Sequence, residues 1–376
     1  MSRKLLRELI ALPSVNPAFL PERGELTGEM RVAEHLAVAA RKAGLDATFE
    51  EVLPGRANLL VRYLPGGRIR RRILLAPHLD TVGGTPCSAE LFRPREANGR
   101  LFGRGACDTK GSAAAFFAAL TRLTRRRDRS RHTEIVFAGL VDEECAQSGS
   151  RALVAAGFKA DLAIVGEPTR LQVVTAHKGD LWLELETRGK SAHGACPHLG
   201  RNAVHAMSRI VDLLETEYAA VLRPRRHPLL GPATVNVGSI HGGTQPNVVP
   251  ALCRCQIDRR TLPGETEAGV IREIQALLHR HGLAAQLVSS KGAPCWPLET
   301  DRRLPLVRQF LRQMGRRRPA GVHFFCDASV LAHGGIPSLV FGPDDIAQAH
   351  TQDEWISLSA LDEATELLTR YLMSLP

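Results

Sequence analysis

Apolar residues in the first 177 positions alternate between helical spacing and short runs that are typical of buried strands. The helical spacing predicts helices over 3–12, 26–43, 112–123 and 148–156. The short runs, rich in leucine and β-branched residues, predict strands over 58–63, 73–76, 134–141, 162–165 and 171–176. This alternation is typical of an α/β domain with a mostly parallel central sheet, in which functional side chains follow the strand ends.

The order of elements changes after residue 177. The pattern predicts a strand over 180–187, a helix over 202–222, strands over 233–240 and 251–258, a helix over 265–281 and a strand over 284–288. This β-α-β-β-α-β order is the ferredoxin-like arrangement. A helix over 305–314, a strand over 338–341 and a helix over 358–372 then restore the first pattern. We therefore expect an inserted domain, 178–288, within a discontinuous domain formed by 1–177 and 289–376.

The composition indicates a globular protein. The chain has 376 residues, of which 44% are hydrophobic and 23% charged, and a net charge of +10. Most basic residues are arginines, concentrated at 68–72, 122–131, 223–226 and 316–318. These clusters flank apolar segments without interleaved aromatic residues, which favours a solvated surface over a nucleic-acid interface. A positive field would still attract an anionic substrate.

Membrane insertion and secretion are not expected. The longest apolar run, 113–120, is far shorter than the roughly 18 to 20 residues that span a bilayer. Arg7 and Glu8 interrupt the N-terminal apolar residues, so we expect no signal peptide. The eight cysteines lack zinc-ribbon or redox spacing, which favours reduced thiols and a cytoplasmic location.

The first candidate site follows the predicted strand 73–76. On an extended backbone, His78 and Asp80 point to the same side. His78 could therefore bind a metal while Asp80 accepts its other imidazole N–H. The alternative is a surface histidine beside a capping aspartate.

A second candidate, Asp108, ends a glycine-punctuated turn just before the predicted helix 112–123. A carboxylate here could be a ligand or an ordinary N-cap. Lys110 is followed by Gly111, so the turn does not have phosphate-loop spacing.

Further carboxylates follow two other strands. Asp142, Glu143 and Glu144 end one apolar run, either as a solvated loop or as a site that needs a cation. One carboxylate can bind a metal while its neighbour stays free to act on a metal-bound water, an arrangement that suits hydrolysis. Glu167 follows another apolar run, and His350 lies near the C-terminus. The set offers two imidazoles and three carboxylate ligands, enough for two divalent ions bridged by one carboxylate.

Five ordered motifs resemble those of the co-catalytic zinc amidohydrolases and peptidases. This family includes acetylornithine deacetylase, succinyl-diaminopimelate desuccinylase, aminoacylase and glutamate carboxypeptidase. The motifs are His78-Leu-Asp-Thr-Val82, Gly103-Arg-Gly-Ala-Cys-Asp-Thr-Lys-Gly111, Asp142-Glu-Glu144, Gly166-Glu-Pro168 and Ala349-His350. The resemblance spans nearly the whole chain. It implies a zinc-peptidase-like catalytic domain and an inserted ferredoxin-like lid that mediates dimerisation.

The resemblance also implies a role for each matching residue. His78, Asp108 and Glu167 would bind one metal ion, and His350, Asp108 and Glu144 the other. The two ions per chain are expected to be zinc, with cobalt or manganese as alternatives that suit the same ligands.

Other implied roles concern catalysis and substrate binding. Asp80 would orient His78, and Glu143 would be the general base. His193 would reach the active site of the partner subunit and stabilise the oxyanion. Asn247 and Arg260 lie in segments that would hold the substrate carboxylate.

Five further residues, one threonine and four cysteines, bear on these assignments. Thr109 replaces the methionine usual in the family but removes no ligand. Cys107 and Cys145 flank the carboxylate motifs, either as small buried residues or as extra ligands. Cys253 and Cys255 share one face of a predicted strand, and we expect them to belong to the core.

The expected function is metal-dependent hydrolysis of the amide of a small, anionic N-acyl amino acid. The segment 344–355 is most similar to acetylornithine deacetylases, which places the chain in arginine biosynthesis. The alternatives are a succinyl-diaminopimelate desuccinylase, a metallo-carboxypeptidase, an aminoacylase, or a non-catalytic binding protein on the same fold.

Overall fold

The chain forms two compact units in a computed structural model that describes residues 1–20, 24–125 and 132–376. The first unit comprises Met1–Thr175, Thr300–Gly321 and Cys326–Pro376. The second unit comprises Ala176–Glu299 and Val322–Phe325. Positions 126–131 of the basic cluster predicted at 122–131 lie outside the described residues.

Seven helices are described in the first unit, close to the predicted positions except for one additional helix. Their bounds are Ser2–Ile10, Met30–Lys42, Lys110–Leu123, Ser148–Ala155, Pro305–Gln313, Asp327–His333 and Leu358–Met373. Lys110–Leu123 is buried along almost its whole length and packs against Ser2–Ile10 and Leu358–Met373. The additional helix, Asp327–His333, has only seven residues, too few for a clear helical period.

The central sheet of the first unit is mixed, so the prediction of a mostly parallel sheet is wrong. Its strands run in the order Asp46–Leu53, Arg56–Tyr63, Thr133–Gly139, Arg71–Ala76, Leu162–Val165, Ser338–Val340 and Val174–His177. The four strands from Thr133–Gly139 to Ser338–Val340 are parallel. The two pairings at one side and the last pairing at the other are antiparallel.

Two local features explain the differences. Pro54 and Gly55 separate two strands that form a tight hairpin, in which Gly55 has a φ of 71°. The first of these strands, Asp46–Leu53, is mostly exposed, and Glu50 and Glu51 interrupt its apolar residues, so its apolar signal was weak. On the other side, Leu171 has a φ of 58°, which is incompatible with a strand, and the strand begins only at Val174.

A small sheet brings two distant segments of the first unit together. It contains the strands Trp355–Ser357, Arg100–Phe102 and Arg95–Ala97, in that order. Trp355 pairs with Phe102, the last residue before the glycine-punctuated turn. The segment after His350 is therefore held beside the turn that leads to Asp108.

The second unit contains a four-stranded antiparallel sheet in the order Thr234–Gly242, Leu252–Thr261, Gly179–Arg188 and Gln286–Ser289. Its helices are Ala203–Leu213, which continues through a π-turn, Leu214–Tyr218, into Ala219–Leu222, and Glu267–Arg280. Cys253 and Cys255 are buried in its core, as expected. Four further short strands are described: Arg226–His227, Gly231–Pro232, Leu298–Glu299 and Ala320–Val322.

Among the described residues, every helix is too short or too polar to cross a membrane.

Candidate metal centre and substrate-binding residues

His78 lies just after the strand Arg71–Ala76 and is buried together with Asp80. Its Nε2 is 3.1 Å from Asp108 Oδ1. Its Nδ1 lies 3.0 Å from the backbone oxygen of Asp80 and 3.4 Å from the Asp80 carboxylate. Burial favours the neutral ring, but the hydrogen bonds to Asp108 and Asp80 raise the pKa of His78 well above 6.5. The ring orientation is thus set by Asp80, which faces Nδ1, and by Asp108, which faces Nε2.

Asp108 lies between two imidazoles. Its Oδ1 faces His78, and its Oδ2 is 3.3 Å from His350 Nε2. Burial opposes ionisation of Asp108, but the hydrogen bonds from His350 and His78 lower its pKa. A carboxylate that presents one oxygen to each of two imidazoles has the arrangement of a bridging ligand.

His350 also contacts Glu144, with 3.2 Å between His350 Nε2 and Glu144 Oε2. Hydrogen bonds to Asp108 and Glu144 raise the pKa of His350 to about 10. Burial, and next the charge of Asp108, raises the pKa of Glu144 to about 7. Within the described part of the chain, the buried Glu144 Oε1 has no hydrogen-bond partner. Such an oxygen is costly to bury unless a further partner binds it.

Glu143 and Glu167 also lie close to His78. One donor atom from each of these three residues lies within 4.8 Å of the other two, and Glu167 Oε1 is 3.8 Å from His78 Nε2. Burial raises the pKa of Glu143 and Glu167 well above 4.5, although His78 opposes this effect. A second group of the same kind contains His78, Asp108 and Glu144.

These residues fit divalent cations. Imidazole nitrogens and carboxylate oxygens are the ligands that zinc and similar ions use, and the two groups share His78. Buried carboxylates that repel one another need a compensating positive charge. The unpaired oxygen of Glu144 provides an additional ligand atom.

A cavity of about 440 Å³ in the first unit reaches His350. It is lined by Phe19, Val82, Gly83, Gly84, Thr85, His350 and Gln352. The side chain of His350 is 54% exposed, so the cluster is accessible at this point.

Several buried residues around the centre were not identified from the sequence. Asp327 accepts a hydrogen bond from Ser150, and burial raises its pKa to about 7. It is close enough for its charge to affect Glu143 and Glu167. Asn16, Glu29, Arg56 and Glu354 also surround the centre in a hydrogen-bonded network. Only Glu354 had a signal, since it lies four residues after His350 within the segment 344–355.

Residues adjacent to the ligand candidates have distinct roles. Thr109 is buried, and its Oγ1 donates to the backbone oxygen of His78 at 3.1 Å. Cys107 is buried, which agrees with the expectation of a small buried residue. The expectation that Cys145 is also a buried residue is wrong, because Cys145 is exposed after the acidic strand end.

His193 and Asn247 lie together in the second unit. His193 pairs with Val248 through the backbone, and Gly194 N donates to Asn247 O at 2.7 Å. The Nδ1 of His193 accepts the N–H of Ala195 at 3.1 Å, so in the neutral ring Nε2 carries the proton. Both side chains belong to exposed residues.

Arg260 lies elsewhere in the second unit, on the strand Leu252–Thr261. Its guanidinium makes two hydrogen bonds with Asp258, at 2.9 and 3.0 Å, and its Nε lies 3.6 Å from Asp180. An incoming carboxylate would have to compete with these two aspartates.

Sequence comparisons match nearly the whole chain to known proteins. A sequence model of the Peptidase family M20/M25/M40 matches residues 74–374. The acetylornithine deacetylase of Myxococcus xanthus is 31% identical over 98% of this chain and 96% of its own length. The acetylornithine deacetylase of Vibrio campbellii is 29% identical over 92% of each chain.

Solved structures share the fold at lower identity. Aminopeptidase PepT from Bacillus cereus has a TM-score of 0.77 at 21% identity, covering 99% of this chain and 97% of that one. The M20 family metallo-carboxypeptidase Sso-CP2 from Sulfolobus solfataricus has a TM-score of 0.75 at 18% identity, with 99% and 98% coverage. The YXEP protein of Bacillus subtilis, described as a dinuclear metal-binding peptidase, has a TM-score of 0.71 at 14% identity, with 100% and 97% coverage.

Proposed function

The chain belongs to the peptidase family M20/M25/M40 and is a metal-dependent amidohydrolase, and from this premise we propose that it deacetylates a small N-acetylated amino acid. Relatives named acetylornithine deacetylase match nearly the full length, which favours N-acetyl-ornithine as the substrate. The observation that carries the proposal is Asp108, which contacts both His78 and His350. This arrangement supports a two-metal hydrolase rather than a binding protein.

The proposed ligand sets share Asp108. His78, Asp108 and Glu167 would hold one ion, and His350, Asp108 and Glu144 the other. The contacts of 3.1 to 3.8 Å between each imidazole and its carboxylates support this assignment. Zinc is our first choice, with cobalt or manganese as alternatives for the same ligands. When bound, two such ions would polarise the amide carbonyl and acidify the attacking water.

Glu143 is the proposed general base. Its carboxylate lies near the negative charges of Glu167, Asp327 and Glu144, and burial raises its pKa well above 4.5, which keeps its affinity for a proton high. It would take a proton from the attacking water and deliver it to the leaving amine nitrogen. Asp80 would hold His78 in place, as its contacts with Nδ1 suggest.

The second unit is proposed to act as a ferredoxin-like lid that also mediates dimerisation. Its strand order and its two helices support the ferredoxin-like assignment. We propose residues 178–288 as this lid, and the second compact unit, 176–299 with 322–325, contains this range.

Three residues of the proposed lid are proposed to contact the substrate. The exposed Nε2–H of His193 suits a donor to the oxyanion in the partner subunit. Asn247, beside it, and Arg260 would hold the carboxylate of a small anionic substrate. We further propose a cytoplasmic enzyme of arginine biosynthesis, in line with the scattered cysteines and the names of the relatives.

A hydrolysis screen tests the proposal. Purified protein, loaded with zinc or cobalt, is assayed against N-acetyl-ornithine, N-succinyl-diaminopimelate, N-acetyl-methionine and a glutamyl dipeptide. We expect the highest kcat/KM for N-acetyl-ornithine. A preference for another substrate would support the desuccinylase, aminoacylase or carboxypeptidase alternative. A folded, metal-loaded protein that hydrolyses none of them would favour a binding protein.

A further inference from the structure

Asn16 joins two carboxylates beside the candidate metal centre. Its Nδ2 donates to Asp80 Oδ2 at 2.8 Å and to Asp142 Oδ1 at 3.0 Å. Its Oδ1 accepts the backbone N–H of Ala18 at 3.1 Å, so the amide cannot rotate without losing all three bonds. Asn16 is completely buried, and every polar atom of its side chain is used.

Asp80 transmits this contact to both sides of the centre. Its carboxylate accepts the backbone N–H groups of Glu143 and Glu144, each at 3.1 Å, and also lies 3.4 Å from His78 Nδ1. A shift of Asp80 would therefore move His78 and the two glutamates relative to one another. The donor from Asn16 limits that shift.

A second anchor holds Asp142, the residue just before the two glutamates. Asp142 has a φ of 66°, in the left-handed region that a non-glycine residue adopts at an energetic cost. Its backbone N–H donates to Glu29 Oε1 at 3.1 Å, and its carboxylate accepts from Arg56 Nη1 at 3.0 Å. Arg56 in turn pairs with the fully buried Glu29 through its Nε at 2.9 Å. The left-handed turn is thus fixed from both the main chain and the side chain.

We propose that Asn16 is a positioning residue that sets the distance between His78 and the pair Glu143–Glu144, with Arg56 and Glu29 as its support. The proposal rests on the proposed function for its kinetic readout, but its metal-binding readout does not depend on the substrate. Groups that orient metal ligands typically contribute about 10- to 100-fold to metal affinity or activity. The contribution of Asn16 should fall in that range.

Asn16→Ala is the direct test. Backbone bonds from Asn16 N to Thr81 O at 2.9 Å and from Thr81 N to Ser14 O at 3.0 Å remain, so the segment keeps its place. Zinc alone is titrated into the metal-free protein with a competing chelator, and kcat and KM are measured at saturating zinc. We expect kcat to fall about 10- to 100-fold with little change in KM, and one of the two zinc affinities to weaken by a similar factor.

Asn58→Ala is the matched control. Asn58 is equally buried, and its amide makes two hydrogen bonds, to Gly149 O at 2.9 Å and from Val141 N at 3.2 Å, where that of Asn16 makes three. Its amide bonds only these backbone groups, so this variant should lose stability while it keeps both zinc affinities and kcat. Equal losses of zinc affinity and kcat in the two variants would overturn the proposal, since a general structural role would then explain both.

A second pair of variants covers the case in which Asn16→Ala does not fold. Arg56→Met removes the support of Asp142, whereas Arg62→Met removes a cation from Glu134, another buried carboxylate of the first unit. Only Arg56→Met should weaken zinc binding and lower kcat. If Arg56→Met changes neither zinc binding nor kcat, the proposal is also overturned. A wild-type protein that binds two zinc ions but hydrolyses no substrate would overturn the proposed function alone.

Discussion

The carboxylate of Glu354 accepts the backbone N–H of Asp108, with 3.0 Å between Glu354 Oε1 and Asp108 N. It also accepts the N–H groups of Gly105 and Cys107, each at 2.9 Å, and pairs with Arg104 at 2.8 Å. Glu354 is buried and lies four residues after His350. One side chain therefore fixes the turn that carries Asp108 against the segment that carries His350.

Glu354→Gln should destabilise the protein by about 1 to 3 kcal/mol, because buried donors lose an acceptor and Arg104 loses its counter-charge. It should also weaken zinc binding, since Asp108 and His350 are no longer held together. The measurements are urea denaturation and zinc titration. Glu366→Gln is the control: its exposed pair with Arg122 should contribute no more than about 1 kcal/mol. Equal effects of the two substitutions would contradict the role of Glu354.

Removal of metal should abolish hydrolysis. Chelation would leave two imidazoles and their carboxylates without the cations that the cluster suits. Added zinc or cobalt should restore activity, and elemental analysis should find about two ions per chain, as the five-ligand set implies. Full activity in a verified metal-free sample would refute the two-metal mechanism.

The metal-free protein should lose stability as the pH rises. The pKa of Glu144 is raised from 4.5 to about 7, and that of His350 from 6.5 to about 10. A group whose pKa is higher in the folded than in the unfolded state stabilises the fold at a pH below its unfolded-state pKa. This contribution is lost as the pH rises to the folded-state pKa. The contribution of Glu144 is thus lost between pH 4.5 and about 7, and that of His350 between pH 6.5 and about 10.

Thermal unfolding of metal-free protein across this pH range measures the effect. The melting temperature should fall with pH, and the fall should be smaller in the variant Glu144→Gln with His350→Asn, which lacks both groups. Zinc should raise the melting temperature most at the alkaline end, because its ligands bind in their unprotonated forms. A metal-free melting temperature that rises with pH would contradict the assigned pKa directions.

Glu143→Gln and Glu144→Gln should separate base from ligand. The first removes the proposed proton acceptor, so kcat should fall at least about 100-fold while zinc content stays near the wild-type value. The second replaces one oxygen of the Glu144 carboxylate by an amide nitrogen and removes the negative charge beside His350, so zinc content should fall as well. Because Glu143 also lies within ligand distance of His78 and Glu167, the reverse outcome would exchange the two roles.

His193→Ala should lower kcat about 100- to 1,000-fold, the usual contribution of one oxyanion donor, with little loss of zinc. If His193 serves the partner subunit, mixing this variant with Glu143→Gln should restore activity. Heterodimers formed by subunit exchange would then contain one site with both wild-type residues. Confirmed exchange without recovered activity would place His193 in its own chain's site or outside catalysis.

Local patterns were sufficient for most of the fold. The strand Leu162–Val165 and the helix Lys110–Leu123 were both predicted, because both are buried and strongly apolar. The strand has the predicted bounds, and the helix begins two residues earlier than predicted. The strand Asp46–Leu53 was missed, since it is mostly exposed and its polar–apolar alternation breaks at Glu50 and Glu51. The direction of the outer strands also escaped prediction, because it depends on a hairpin and on pairing partners distant in the chain.

The same division applies to the site. The sequence by itself determined which side chains are available, because histidines and carboxylates at strand ends form ordered motifs from His78 to His350. Only the tertiary structure decided which of them meet, and it added Asn16, Arg56 and Glu354, whose bonds reach across 64 to 246 positions. Such contacts have no local period, since a buried polar group takes whichever partner the folded chain brings within about 3 Å.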